Sequence, residues 1–369
     1  MVLRAIRQRG AVSRTEIAER VGLTNAAVSR ITKELIDAGL VVEGERVVLK
    51  GQAGRRQVCL QISKDGAYVV GIAVTLNARD VVIADGHGDI VGRVDCADIS
   101  LAKPDKAMQT FARRAKKLMA QSGVDKARII GGAASVAGRV SPADGRIMGA
   151  EPLDWDGQNV AARFESLLGL PFVSEGRAAA LLMAESNLGQ AEGLSDVLLI
   201  NVGLKLGTAL MMDGCLMRGS TNEAFMLGRY QDCSGSNLDD TASGFSILSR
   251  LLSGGFDVPS HSDPGTYLRN LAESGGKRGR IVEDAFRKSG EALGQAIATI
   301  APILSPQAVI LAGFVIRQPS YIEGVKAKLG DCNLRLRESR FTTAQSAIHL
   351  ALEHHLFNQR LQIDRLITA

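Results

Sequence analysis

One short stretch near the N terminus constrains this chain more than any other. Ser13-Arg14-Thr15-Glu16 has capping-box spacing, in which a serine hydroxyl takes the amide three residues on and the glutamate returns a bond. The pattern predicts a short helix with Ile17, Ala18 and Val21 turned inward, ended by Gly22, which accepts left-handed backbone. Thr24 is a second N-cap, opening a helix over residues 25–38 with the apolar stripe Val28, Ile31 and Leu35, stopped by Gly39. Two short helices joined by such a turn form a helix-turn-helix. The outer face of the second carries Asn25, Ala26, Ser29, Arg30 and Lys33, small, polar or cationic groups that can enter a major groove. Ser13, Arg14, Thr15 and Thr24, at the two helix starts, complete the set expected to face DNA. An earlier helix over residues 2–9 would close a three-helix core through Leu3 and Ile6.

Two β segments follow, residues 40–50 and 57–62, joined by the glycine-rich basic loop Gly51-Gln52-Ala53-Gly54-Arg55-Arg56. Attached to a helix-turn-helix, this hairpin reads as a wing, with Arg46, Arg55 and Arg56 placed to reach a minor groove or phosphates. The competing reading is a helical bundle with a solvated basic face, but caps, turn glycine, stripe and wing agree with one another. Charge points the same way. Residues 1–62 hold 11 Lys and Arg against 6 Asp and Glu, while the rest of the 369-residue chain is balanced at 33 of each. A basic small domain, residues 1–66, on a neutral large one suggests double-stranded DNA as the partner.

Other classes are disfavoured. No apolar run approaches the roughly 18 residues of a membrane helix, and the start MVLRAIRQRG has no signal-peptide core. No membrane partner is expected, and the expected location is the cytoplasm. Cys59, Cys96, Cys215, Cys233 and Cys332 make no C-x-x-C pair, so neither a zinc site nor a disulfide framework is suggested.

From Tyr68 the pattern changes to α/β. Residues 68–74, 80–85 and 90–94 read as a three-strand meander, residues 107–121 as a helix, and residues 129–136 as another strand. Further on come Ser135-Val136-Ala137-Gly138-Arg139-Val140 with Asp144-Gly145-Arg146-Ile147, Leu153-Asp154-Trp155 and Leu170-Pro171-Phe172-Val173. The helix of residues 178–185, Met212-Asp213-Gly214 with Arg218-Gly219, and the segment 304–313 (LSPQAVILAG) complete the set. Together these segments resemble the ROK family, which joins sugar-responsive repressors and sugar kinases of the actin-like ATPase fold. The resemblance covers essentially the whole chain, because the family's repressors also begin with a winged helix-turn-helix. It implies a two-lobed domain over residues 67–369, with a first lobe of about 67–185 plus a C-terminal helix of about 344–369, and a second lobe of about 186–343.

The chemistry the resemblance implies is altered here. The family's catalytic base is the Asp of an Asn-Asp pair, and the matching residues are Gly176 and Arg177; an arginine stays protonated and takes no proton. The first phosphate loop, Asp-x-Gly-Gly-Thr in family kinases, reads Ala73-Val74-Thr75-Leu76-Asn77. The second, Gly-Thr-Gly-Ile-Gly, reads Gly203-Leu204-Lys205-Leu206-Gly207, where Leu204 and Lys205 replace residues that allow close backbone approach. The family's sugar-binding Glu and zinc-ligand His correspond to Met226 and Arg229, and the cysteine-rich zinc loop is shortened around Cys233. Neither catalysis, zinc nor a cofactor is therefore expected.

Three readings stand for the large domain. It senses a small-molecule effector, a sugar or an anionic sugar derivative, with Asp156, Glu175, Arg177 and Arg229 as candidate ligand residues. It serves only to join DNA-binding heads in a homodimer or homotetramer. Or it is an active sugar kinase with a DNA-binding appendage. For Arg177 and Arg229, the anion clamp competes with ion pairing to Glu175 and filling of the vacated zinc region.

Overall fold

The computed structural model describes residues 1–47, 57–150, 153–220, 222, 225–231, 235–256, 258, 264–273, 279–330 and 334–358. It divides into two compact units, Met1–Glu175 with Thr343–Ala369, and Gly176–Thr342.

The first unit begins with α1 (Val2–Arg9), β1 (Val12–Ser13), α2 (Arg14–Val21), α3 (Asn25–Asp37), β2 (Val41–Val47) and β3 (Gln57–Ile62). The strands order β1-β3-β2, and the antiparallel β2–β3 hairpin has a register shift between Glu43 and Arg46. The caps are those the sequence predicts. Ser13 Oγ accepts from the Glu16 amide at 3.3 Å, Glu16 Oε2 accepts from the Ser13 amide at 2.9 Å, and Gly22 closes α2 at φ 69°. The buried stripe of α3 differs from the expected one: Val28, Thr32 and Leu35 are buried, and Ile31 sits at the margin. Positions 31 and 32 flank the line from Val28 to Leu35 on opposite sides of a helix, and the core lies on the Thr32 side.

The same unit continues with β4 (Tyr68–Val74), β5 (Arg79–Ala84), β6 (Ile90–Asp95), α4 (Pro104–Gln121), β7 (Ile129–Val136), the short pair β8 (Arg139–Val140) and β9 (Ile147–Met148), α5 (Val160–Leu168) and β10 (Phe172–Gly176). The five-stranded sheet orders β10-β7-β4-β5-β6. Every residue of β4 is buried, as its unbroken apolar run requires of a strand covered on both faces. Val70, Ile72 and Val74 join Phe111, Ala115, Trp155 and Phe164 in one core, and each large apolar side chain there contributes roughly 1.5–3 kcal/mol by burial. Trp155 also donates its indole N–H to the Leu101 carbonyl at 2.8 Å.

The other face of the sheet takes a helix from the far end of the chain, residues 343–355. The small residues of β7 admit it. Ser346 Oγ lies 3.1 Å from Ser135 Oγ, and His355 Nε2 lies 3.0 Å from the Gly132 carbonyl. A Cβ on Gly71 would sit 3.1 Å from Ile348 Cγ1.

The second unit contains α6 (Arg177–Leu188), β11 (Val197–Val202), β12 (Leu206–Met212), β13 (Cys215–Leu216), α7 (Leu238–Ala242), α8 (Gly244–Ser253), α9 (Pro264–Glu273), α10 (Gly279–Leu304), β14 (Ala308–Ala312), α11 (Pro319–Leu329) and β15 (Leu336–Glu338). Its sheet orders β13-β12-β11-β14-β15, with β11, β14 and β15 parallel. Helices α10 and α11 approach closely because Gly290, Gly294 and Gly324 have no Cβ where the helices meet; one on Gly294 would reach Lys328 Cβ at 3.0 Å. Glu185 is wholly buried, and its carboxylate accepts from the Gln190 amide, the Ser339 hydroxyl and the Arg340 amide at 2.6–2.7 Å. Arg280 lies in the first turn of α10. The final helix, α12 (Thr343–His355), returns to the first unit.

Candidate nucleic-acid interface

The helix-turn-helix is locked from inside. Thr32, 0 % exposed, donates its hydroxyl to the Ser29 carbonyl at 3.2 Å and accepts from Arg14 Nε at 3.1 Å. Arg14 Nη2 then donates to Glu43 Oε1 at 2.8 Å. One guanidinium thus joins the start of α2, the middle of α3 and the first wing strand. That fixes the angle between the helix that enters a groove and the strand that flanks it. Sequence reasoning missed Thr32 and Glu43; the available signal was a polar residue on the apolar stripe, which must find partners when buried.

The side chains expected to meet DNA separate into two groups. Thr24, Asn25, Ala26, Ser29, Arg30 and Lys33 are all exposed along one face of α3 and its start. Thr24 also caps α3 through the Ala27 amide at 3.2 Å. Arg30 is 74 % exposed and makes a 3.3 Å surface pair with Glu34, weak enough to let it swing to a phosphate. Ser13, by contrast, is 1 % exposed and turned to its cap. Arg14 is held in the internal bridge, and Thr15 is half-buried. These three position the helices instead of offering free surface. Arg46 lies on β2 opposite Val58. Arg55 and Arg56 fall outside the described residues.

The candidate ligand residues of the large domain are placed as follows. In the first unit, Asp156 is exposed, and its Oδ1 accepts from the Ala150 amide at 2.9 Å. Glu175 is buried at the end of β10. The segment matching the first phosphate loop is a tight turn: the Thr75 hydroxyl takes the Ala78 amide at 3.0 Å, and the Thr75 amide donates to the Ala78 carbonyl at 2.9 Å.

In the second unit, Arg177 is the first residue of α6, whose N-cap is Gly176 with no side-chain cap. Its guanidinium lies over the loop matching the second phosphate loop: Arg177 Nη2 would be 3.3 Å from a Cβ on Gly203. Burial lowers its pKa to about 10. That loop is tied to the start of α8 by the Gly244 and Phe245 amides, which donate to the Gly203 and Leu204 carbonyls at 2.8 and 3.1 Å. Leu204 is itself buried. Arg229 is exposed and within electrostatic reach of Asp239. Burial raises the Asp239 pKa, while the Leu206 amide at 2.7 Å and the charges of Lys205 and Arg229 oppose that rise.

No helix among the described residues is long and apolar enough to cross a membrane. The expectation for Cys233 lies outside the described residues, as does that for Cys332.

Residues 102–346 match the ROK family, and residues 1–42 match the winged helix-turn-helix DNA-binding family. The chain is 26 % identical over 328 residues to a xylose repressor of Caldicellulosiruptor bescii, covering 84 % of this chain and 81 % of that protein. It is 23 % identical over 328 residues to the N-acetylglucosamine repressor of Shigella flexneri, covering 85 % and 79 %. Among solved structures, a ROK family transcriptional regulator, a homologue of the Escherichia coli MLC protein, superposes with TM-score 0.74 at 20 % identity, covering 100 % of this chain and 98 % of that one. A ROK family glucokinase from Streptomyces griseus, in complex with glucose and AMPPNP, superposes with TM-score 0.64 at 19 % identity, covering 77 % and 98 %.

Proposed function

The chain belongs to the ROK family, and from that membership we propose that it is a DNA-binding transcription regulator, a repressor of genes of sugar or related carbon metabolism. The observation that carries the reading is the outer face of α3, where Asn25, Ala26, Ser29, Arg30 and Lys33 stand exposed on a helix whose angle Arg14 fixes from behind. A helix so presented, with the β2–β3 hairpin beside it, suits a major groove flanked by phosphates. The repressor relatives, which align along most of this chain, support the direction of regulation and the sugar connection.

The large domain acts as a sensor and assembly platform without phosphoryl transfer. A kinase needs a base beside the sugar hydroxyl and backbone amides around the phosphates. Arg177 stands where the resemblance puts that base, and it carries a positive charge. The loop at Gly203 spends its carbonyls on α8 and buries Leu204, which fits a structural element. The heads act in pairs on a two-fold operator, through a homodimer or homotetramer.

Fluorescence anisotropy with DNA flanking the gene tests the main reading. Binding that survives Arg30→Ala and Lys33→Ala together would refute the docking. A coupled ADP-release assay on common hexoses tests the second. Turnover abolished by Glu175→Gln would make the protein a kinase.

A further inference from the structure

The second unit places two hydrogen-bond donors beside one glycine: Asn201, which is buried, and Arg177, which is half-buried. Asn201 sits in the middle of its sheet on β11, paired to Gly207 of β12 on one side and to Ala312 of β14 on the other. It is 2 % exposed, and its Nδ2 has no hydrogen-bond partner among the described residues. The strand around it, Val197–Val202, is otherwise apolar and wholly buried. A Cβ on Gly203 would lie 3.7 Å from Asn201 Nδ2 and 3.3 Å from Arg177 Nη2, so the two donors are at most 7.0 Å apart.

Asn201 is costly as it stands, because a buried amide N–H without an acceptor has given up its bond to water for nothing in return. For Arg177 the lowered pKa has burial as its cause, with no carboxylate opposing it. The start of α6 adds to the effect. Arg177 is its first residue, there is no acidic residue in its first turn, and Gly176 supplies no side-chain cap, so the first turn of this 12-residue helix carries uncompensated positive charge. Ala178 and the bare Gly207 complete the wall, where a Cβ would meet the Ala178 Cβ at 3.6 Å.

We propose that Arg177 and Asn201 are the binding point for an oxyanion, the carboxylate or phosphate of a small sugar-like effector, seated beside Gly203. This rests on the reading of the large domain as a sensor and gives its ligand a chemical class. Arg177 supplies the charge and a forked pair of N–H groups, Asn201 one further N–H, and Gly203 the space. Uncharged sugars offer hydroxyl acceptors but no negative charge to pair with Arg177, so the site favours anions over them.

Isothermal titration of the full chain with glucuronate, glucose-6-phosphate, glucose, acetate and inorganic phosphate tests this. Glucuronate or glucose-6-phosphate should bind, and the stronger of the two identifies carboxylate or phosphate; glucose should bind more weakly. Arg177→Met should weaken the anionic probe roughly 10- to 100-fold, with partial rescue by Arg177→Lys, and Asn201→Asp should weaken it at least as much by charge repulsion. Circular dichroism melts of each variant establish that it is folded, and if Arg177→Met is not, Arg177→Lys and Asn201→Asp carry the test. A wild type that binds none of the anions at millimolar concentration overturns the proposal, as does equal binding by wild type and folded variants. Wild-type DNA binding without ligand is measured separately: its absence defeats the regulator reading, whereas DNA binding with no anion binding defeats this inference alone.

Discussion

Arg14 Nε donates to the hydroxyl of Thr32 at 3.1 Å, in the middle of the helix-turn-helix. The bond makes a residue that the sequence offers to DNA into the brace that aims the DNA-reading helix. Because Thr32 is fully buried and also bonds the Ser29 carbonyl, the arginine is held at a fixed distance from α3.

Replacing Thr32 by valine keeps the shape and removes both bonds. We expect destabilisation of roughly 1–2 kcal/mol, since Arg14 is partly exposed and can recover water. Urea unfolding of the wild type and Thr32→Val measures it. A variant as stable as wild type would show that the brace contributes nothing.

Arg30 and Lys33 are exposed and outside the core, so Arg30→Ala and Lys33→Ala should leave stability within about 0.5 kcal/mol. Removing one phosphate-neutralising cation should lower the slope of log K against log salt by about 0.9. Asn25→Ala and Ser29→Ala should instead change which operator sequences are preferred, with the slope kept. Anisotropy titrations at several salt concentrations separate these outcomes. A common effect of all four variants on the slope would place α3 along the backbone and not in a groove.

What could be read from the sequence was what is decided locally. The capping box at Ser13, the left-handed Gly22 and the Thr24 cap each depend on three or four adjacent residues, and they stand where expected. Strand β4 was legible because a run buried on both faces is apolar without alternation. Thr32 was missed because a threonine looks neutral in a stripe until Arg14, 18 positions away, supplies its partner. Asn201 was passed over for the same reason: its significance comes from Arg177 and Gly203, which only the fold brings near. Of the ligand residues named from sequence, Arg177 lies over Gly203, and Arg229 lies within electrostatic reach of Asp239, which holds the Leu206 amide of the same loop.

His349 should make the first unit acid-sensitive. Its ring is 6 % exposed on α12, and Arg7 Nη2 lies 3.4 Å from its Nδ1. Burial first, then the Arg7 charge, lowers its pKa from 6.5 to about 4. The native ring therefore stays neutral while the unfolded chain takes up a proton, so stability falls as pH drops from 6.5 towards 4. The decrease is at most roughly 3 kcal/mol. Urea midpoints across this window should fall less steeply in His349→Gln; equal slopes would assign the acid sensitivity to other groups, His354 and His355 among them.

The neighbours of Arg7 lead to a last prediction about how the head is held. Arg7 is 10 % exposed, bonds Glu353 at 3.2 Å and lies 4.2 Å above the Phe357 ring. Arg4 pairs with the same Glu353. Glu353 belongs to α12, which also covers β4 and β7, so this clasp ties the three-helix core to the sheet of the large domain. Arg7→Met removes a cation and leaves Glu353 with Arg4 alone, at a cost of about 2 kcal/mol, below that of a fully buried pair. Glu353→Gln should cost a similar amount, and the double variant less than the two together, because the second change removes a group whose partner is already gone. DNA affinity should fall in Arg7→Met with the salt slope unchanged, since Arg7 is committed to Glu353 and Phe357 and is not free to neutralise a phosphate. A smaller slope in Arg7→Met would instead place Arg7 on the DNA backbone, and additive destabilisation would show that Arg7 and Glu353 act separately.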